Sequence, residues 1–327
     1  MVGQEAVLVT LVKLVDRIPE PPAPPKRGRG HPKTYSHRLI VKALVIMVIR
    51  RLYPAYSLLA FLAEETELTQ ALRPLLYEQG RFPTRRTWER RLAAVPDPLP
   101  ALIGCWGAYL VALLQPWGDD GRAVAVDSTP LRAHGGVWHK KDREAGLVPH
   151  SSIDTEAHWS KSGYHGWWYG WKLLIVCPAT RVWIPLAAAL TPANEADNEV
   201  APRLLHHLPA EVRYVLGDTH YNDPQLRTLC EQAQRWLITT RRGKYPHGDG
   251  GAPVRKLFHQ LRSTAIEPFN GLFKNIFEWR NQVPVRGLRR TQLIVLGALL
   301  VYQLVLLYQF DSGRPLGVGI KALLRAA

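Results

Sequence analysis

The chain has 327 residues, 46% of them hydrophobic, and a formal net charge of +15 at pH 7. Such a chain can bury a core across about two domains, and its composition excludes a collagen-like or fully disordered protein. The charge predicts attraction to polyanions that weakens steeply with salt, with anionic membranes as the competing surface. The three cysteines, Cys105, Cys177 and Cys230, are far apart and lack C-x-x-C spacing. That argues against a disulfide framework and a zinc site and favours a reducing cytosol.

The first segment, "MVGQEAVLVTLVKLVDRIPE", has no charged region ahead of its apolar part and no small-residue cleavage site. It does not read as a signal peptide. Residues 19–37 are rich in proline and carry a basic cluster, Lys26, Arg27, Arg29 and Lys33, among glycines. An extended arm of this kind suits a DNA minor groove as well as it suits a solvated linker. From His37 to Leu114 apolar residues recur at helical spacing. In "FPTRRTWERRLAAV", Thr84 or Thr87 is placed to cap a helix carrying Arg85, Arg86, Arg90 and Arg91. This fits a helix-turn-helix reader and, equally, a solvated basic helix. Residues 1–120 are therefore expected to form an all-helical region, with the basic arm and the arginine-rich helix as its candidate DNA-binding parts.

Character changes near Arg122. "AVAVDSTPLRA", the two halves of "GWKLLIVCPATRVWIPLAAAL" around Pro178–Thr180, "EVRYVLGD" and "RWLITTR" read as strands. "PQLRTLCEQA" and "AIEPFNGLFKNIFEW" read as helices. The mixture predicts an α/β layer fold over residues 121–327. "LIVLGALLVYQLVLLYQF", Leu293 to Phe310, has no charge over eighteen residues. That is the lower limit for a membrane span, but Gln303 and Gln309 interrupt it, and a helix buried in a large core is the expectation.

Two apolar strands stop on an acid followed by a hydroxyl residue: "AVAVDST" at Asp127 and "RYVLGDT" at Asp218. Gly217-Asp218 is also ordinary turn chemistry. Carboxylates at neighbouring strand ends repel unless a divalent cation lies between them. A third acid, Glu267, heads a helical stretch with Lys274 two turns further on the same face. Thr264 and Glu267 also have capping-box spacing, although Pro268 weakens that alternative.

With these residues the chain resembles the DDE-class transposases of bacterial insertion sequences. The resemblance runs through "VAVDSTPLRAH", "GYHGWWYGWKLLIV", "LTPANEADNE", "VLGDTHYNDPQLR" and "AIEPFNGLFK", and more faintly through "GRGHPKTYS" and "FPTRRTWERRL". It implies an RNase H-like mixed sheet flanked by helices. It makes Asp127, Asp218 and Glu267 the catalytic acids, holding two Mg2+ ions or Mn2+ in their place, with Asp127 shared. Lys274 matches a lysine that positions phosphate, and Asn194 and Asp197 match a segment that shapes the site. Related proteins carry an arginine four residues before the glutamate. Here that position is Ser263, and Arg262 lies one residue earlier, so Arg262 is a weaker DNA-contact candidate.

The resemblance further implies cutting at terminal inverted repeats and joining of the freed 3′-hydroxyl to target DNA. It implies a homodimer on double-stranded DNA, in the bacterial cytoplasm at the nucleoid, with no membrane partner. A catalytically inactive, domesticated DNA-binding protein and a nuclease that cuts without joining are the alternatives. Arg241, Arg242 and Lys244 follow a strand and read as backbone clamps or as a solvated turn. Strand alternation puts Trp167 and Trp171 on one face and Trp168 on the other. Two of the three belong in a core, and Trp168 is the candidate to stack on an extruded base.

Overall fold

The computed structural model describes residues 6–22, 34–117, 122–147, 149, 152–163, 166–239 and 260–327. The chain forms two compact units, residues 1–109 with 292–327 and residues 110–291. This departs from the expected division at residue 120, because residues 292–327 belong with the N-terminal helices.

The first unit holds α1 (Val7–Leu14), α2 (His37–Arg50), α3 (Ala55–Ala63), α4 (Glu67–Leu72), α5 (Arg85–Ala94) and most of α6 (Leu99–Leu114). Ser36 caps α2, its side chain accepting from the Leu39 amide at 3.1 Å. Of the two expected caps for α5, Thr84 is the one used. The helix buries Trp88 and Leu92 and leaves Arg85, Arg86 and Arg90 exposed. Arg91 turns inward and donates to the carbonyls of Tyr35 and Ser36 at 2.9 and 3.2 Å. Between α4 and α5 lie a 3-10 turn, Arg73–Leu76, and a bridge between Glu78 and Arg81. The connection is therefore longer than the short turn expected of a helix-turn-helix.

In the second unit, β1 (Ala123–Arg132), α7 (Lys140–Glu144), β2 (His158–Ser162), β3 (Gly166–Pro178), β4 (Ala187–Pro192), α8 (Asp197–Leu205), β5 (Tyr214–Gly217), α9 (Pro224–Gln232), β6 (Trp236–Thr239) and α10 (Glu267–Ile276) follow in order. The long strand β3 pairs antiparallel with β1 along one edge and with both β2 and β4 along the other. Parallel β5 and β6 extend the sheet beyond β1. An antiparallel pair extended by parallel strands and flanked by helices is the RNase H-like arrangement expected.

α11 (Leu288–Asp311) begins in this unit and continues in the first, which α12 (Ile320–Ala326) completes. Two acids from the loop before β2 hold the start of α11. Asp154 accepts from the Gly287 amide at 2.9 Å and Glu156 from the Leu288 amide at 2.7 Å. At 24 residues α11 is long and apolar enough to cross a membrane, yet 89% of its most apolar stretch is buried within the protein. Its glutamines serve buried backbone groups. Gln303 donates to the Ile103 carbonyl at 2.9 Å, and Gln309 bonds Val318 and Gly317. An apolar helix of this kind needs a surrounding core, which explains why it joins the N-terminal helices.

One glycine fixes how β3 meets β1. A Cβ at Gly170 would lie 2.1 Å from the Leu131 carbonyl oxygen and 2.8 Å from the Ala133 nitrogen. Both neighbours are backbone and cannot rotate away. Gly170→Ala is expected to destabilise the protein by about 3 kcal/mol or more, measured as a lower midpoint of urea unfolding. An unchanged midpoint would contradict this packing.

Candidate active site

β1 does not stop at Asp127 as the sequence suggested. The strand runs on to Arg132, and Asp127 lies opposite Ile175 of β3. What stops is the pairing on the other edge. β1 and β5 align at Ala123 with Tyr214, Val124 with Val215 and Ala125 with Leu216, and the ladder ends there. Two residues beyond the last pair are Asp127, still within β1, and Asp218, just past the end of β5. Pro130, which has no N–H to offer, stands in β1 beyond the end of this ladder.

Gly217 is not a turn residue but the last residue of β5, paired with Thr239. A Cβ there would come within 2.7 Å of the Tyr221 side chain. Glycine thus lets Tyr221 fold back beneath the strand end. Asp218 caps the short turn that follows, accepting from the His220 amide at 2.8 Å and lying 3.1 Å from His220 Nδ1.

Glu267 opens α10, but not through a capping box. Residues 260–265 are already helical, and Thr264 Oγ1 donates to the Gln260 carbonyl at 2.7 Å. One helical hydrogen bond is missing at the junction, Ile266. Pro268 cannot donate to the Thr264 carbonyl, which instead accepts from the Trp183 indole at 3.0 Å. Ile266 keeps helical backbone angles, and its amide still donates to the Arg262 carbonyl at 3.2 Å, so Arg262 reaches the acids through its long side chain. Its guanidinium donates from Nη1 to Glu267 Oε1 at 3.1 Å and from Nη2 to Asp127 Oδ1 at 3.3 Å.

Asn270, which the sequence reading passed over, donates to Asp127 Oδ2 at 3.4 Å. It follows Glu267 by three residues on the same helix face, and that spacing was the available signal. Lys274 completes this face; burial and the Arg280 charge hold its ammonium below the ordinary lysine range. Asp197 supports the site from one side. It pairs with Lys172 at 2.9 Å and accepts from Ser128, the neighbour of Asp127, at 2.7 Å. Asn194 is exposed in the turn after β4.

Asp127 is the strained member. Burial, together with the Asp218 and Glu267 charges, outweighs Arg262 and pushes its carboxyl from 3.8 up to about 6. Burial holds Tyr221 well above the usual phenol range, and the Asp197, Asp127 and Asp218 charges add to it. Its hydroxyl and the Asn270 side-chain oxygen are buried with no hydrogen-bond partner among the described residues.

The other expected contacts divide. Trp168 and Trp171 are buried at 5% and 0% exposure, whereas Trp167 is 63% exposed. Trp168 is thus corrected from a surface to a core residue. Trp167 lies one pair from the turn of the β2–β3 hairpin, opposite Lys161, whose ammonium is 5.5 Å from its ring centre. Strand alternation set the faces, but only position along the hairpin decides which tryptophan is covered. Arg27, Arg29, Arg241, Arg242 and Lys244 lie outside the described residues.

The family model of the transposase DDE domain matches residues 118–304. The chain belongs to this transposase family. No curated protein matches the chain. Among solved structures, the chain is similar to a piggyBac transposase synaptic complex with hairpin DNA, at 11% identity and a TM-score of 0.40, covering 98% of this chain and 75% of that one. It is also similar to a pre-cleavage Mos1 transpososome, at 12% identity and a TM-score of 0.23, covering 86% and 80%. A Mos1 mariner paired-end complex with Mn matches at 14% identity and a TM-score of 0.23, covering 88% and 81%.

For a transposase domain in its metal-free form, the raised Asp127 carboxyl has a cost. Stability from this group is full below pH 3.8 and is lost as pH rises through about 6. Asp127→Asn is therefore expected to stabilise the chelator-treated protein by about 2 kcal/mol near neutral pH, with the gain shrinking towards pH 4. Thermal unfolding across that range measures it; a loss of stability at neutral pH would contradict the charge balance described.

Proposed function

We propose that the chain is a DNA transposase that binds terminal inverted repeats, cuts the element ends and joins the 3′-hydroxyl to target DNA. One observation carries this reading. Asp127 and Asp218 each lie two residues past the last pair of the β1–β5 ladder, and Arg262 ties Glu267 to Asp127.

The donor set suits hard divalent cations such as Mg2+ or Mn2+. It offers three carboxylates and the partnerless amide oxygen of Asn270. Among the described residues no group of three His, Cys, Asp or Glu side chains is close enough to hold an ion as it stands. Asp127, Asp218 and Glu267 would hold two ions, with Asp127 shared. When bound, the ions would activate water and then a 3′-hydroxyl, and stabilise the leaving oxygen.

The chain's own residues do the rest. Ser128 and the Lys172–Asp197 pair fix the strand that carries Asp127. Lys274, on the same helix face as Glu267, positions a phosphate. Exposed Arg85, Arg86 and Arg90 on α5 contact the DNA backbone, joined by Arg27, Arg29, Arg241, Arg242 and Lys244. Trp167, not Trp168, offers a ring for an extruded base. The net charge of +15 supports a polyanionic partner, and the burial of α11 supports a protein that works without a membrane. We place it as a homodimer on double-stranded DNA, since two ends are cut together, in the bacterial cytoplasm at the nucleoid.

The test is a strand-transfer assay with a labelled inverted repeat, a target plasmid and Mg2+ or Mn2+. Asp218→Ala is expected to lower joining by about a hundredfold or more. Joining at the wild-type rate would refute the reading, and cutting without joining would favour a nuclease.

Trp167→Ala is expected to weaken end binding by about tenfold, the worth of one base stack, with the fold unchanged. Trp168→Ala is expected to lower stability instead. The opposite pattern in fluorescence binding and thermal unfolding would reverse the two roles.

A further inference from the structure

Arg262 divides its guanidinium between two acids. Nη1 serves Glu267 and Nη2 serves Asp127, at 3.1 and 3.3 Å. A guanidinium binds a carboxylate best with two parallel bonds to one partner, so this pose trades fit for bridging. Its side chain is only 15% exposed, and its Nε is buried with no hydrogen-bond partner among the described residues. The Asn270 oxygen beside Asp127 is likewise buried and partnerless. Arg262 thus neutralises the acids but leaves a donor and an acceptor unsatisfied, each at a cost. A small hard cation would use that oxygen and both carboxylates together.

Exchange needs only the side chain to swing. Arg262 is held at its tip by the two acids, while its Nε makes no hydrogen bond among the described residues. We propose that Arg262 is a displaceable counter-cation: it bridges Asp127 and Glu267 in the metal-free protein, and a divalent ion drives it off towards a DNA phosphate. The proposal rests on the metal-binding reading above. It makes ion and DNA binding mutually reinforcing. The ion frees the guanidinium for phosphate, and phosphate keeps it away from the acids. By linkage each then strengthens the other equally.

Mn2+ binding, followed by the electron paramagnetic resonance of the free ion, tests it. Without DNA, Arg262→Gln is expected to bind Mn2+ about tenfold tighter than wild type, as removal of one adjacent positive charge requires. A short DNA duplex is expected to tighten Mn2+ binding to wild type several-fold and to leave Arg262→Gln unchanged. Should the glutamine variant misfold, the wild-type Arg262 Nε–H resonance, assigned by comparison with Arg262→Lys, is expected to shift on titration with Mg2+. Equal Mn2+ affinities in wild type and Arg262→Gln, or an unmoved resonance, would overturn the proposal while Asp127-dependent binding kept the metal reading intact. Mn2+ binding that is absent, or indifferent to Asp127→Asn, would overturn both.

Discussion

The parallel ladder between β1 and β5 stops three residues after it starts, and the site depends on that stop. Had β5 continued beside β1, backbone would fill the space that the acids face. Because β5 ends at Gly217, Asp218 leaves the sheet where Asp127 stays in it, and the charge of one acts on the other. β1 itself cannot turn, since β3 holds it along its other edge as far as Arg132. The proline at position 130 belongs to the same constraint, as it is tolerated only where no further strand needs a donor.

Acids that act on one another in a buried place are unstable unless a positive charge joins them. The protein answers with two cations of different kinds. Lys172 is locked in place by Asp197 and by the Glu195 carbonyl, so it acts as scaffold. Arg262 is held at its fork by the acids themselves. The carboxyl of Asp127 remains raised even with Arg262 beside it, and the Tyr221 hydroxyl and Asn270 oxygen remain unpaired. A core selected for stability alone would not keep these groups together.

Much of this arrangement was legible in the sequence. Apolar runs located β1 and β5, and each carried its acid in the same position relative to the run. Nothing in a single strand, however, says where its neighbour ends, so Asp127 looked terminal when it is central. Arg262 was obscured for a related reason. Residue spacing does not show how far a long side chain reaches, and the Arg262 guanidinium spans to both acids from five residues before Glu267. Trp167 and Trp168 could be assigned to opposite faces, but exposure follows distance from the hairpin end. The asparagine at 270 was visible as spacing and was overlooked because amides do not announce charge. The division of the chain was least legible, because composition cannot show which distant helices a buried helix will join.

That last feature bears on how the protein is made. Residues 110–291 form one unbroken stretch, whereas the first unit is built from residues 1–109 and 292–327. On a ribosome the middle unit has all its parts as soon as its own stretch has emerged. The N-terminal helices must wait, with their apolar faces uncovered, until α11 and α12 arrive. The polypeptide that is first to leave the ribosome is therefore among the last to reach its final packing.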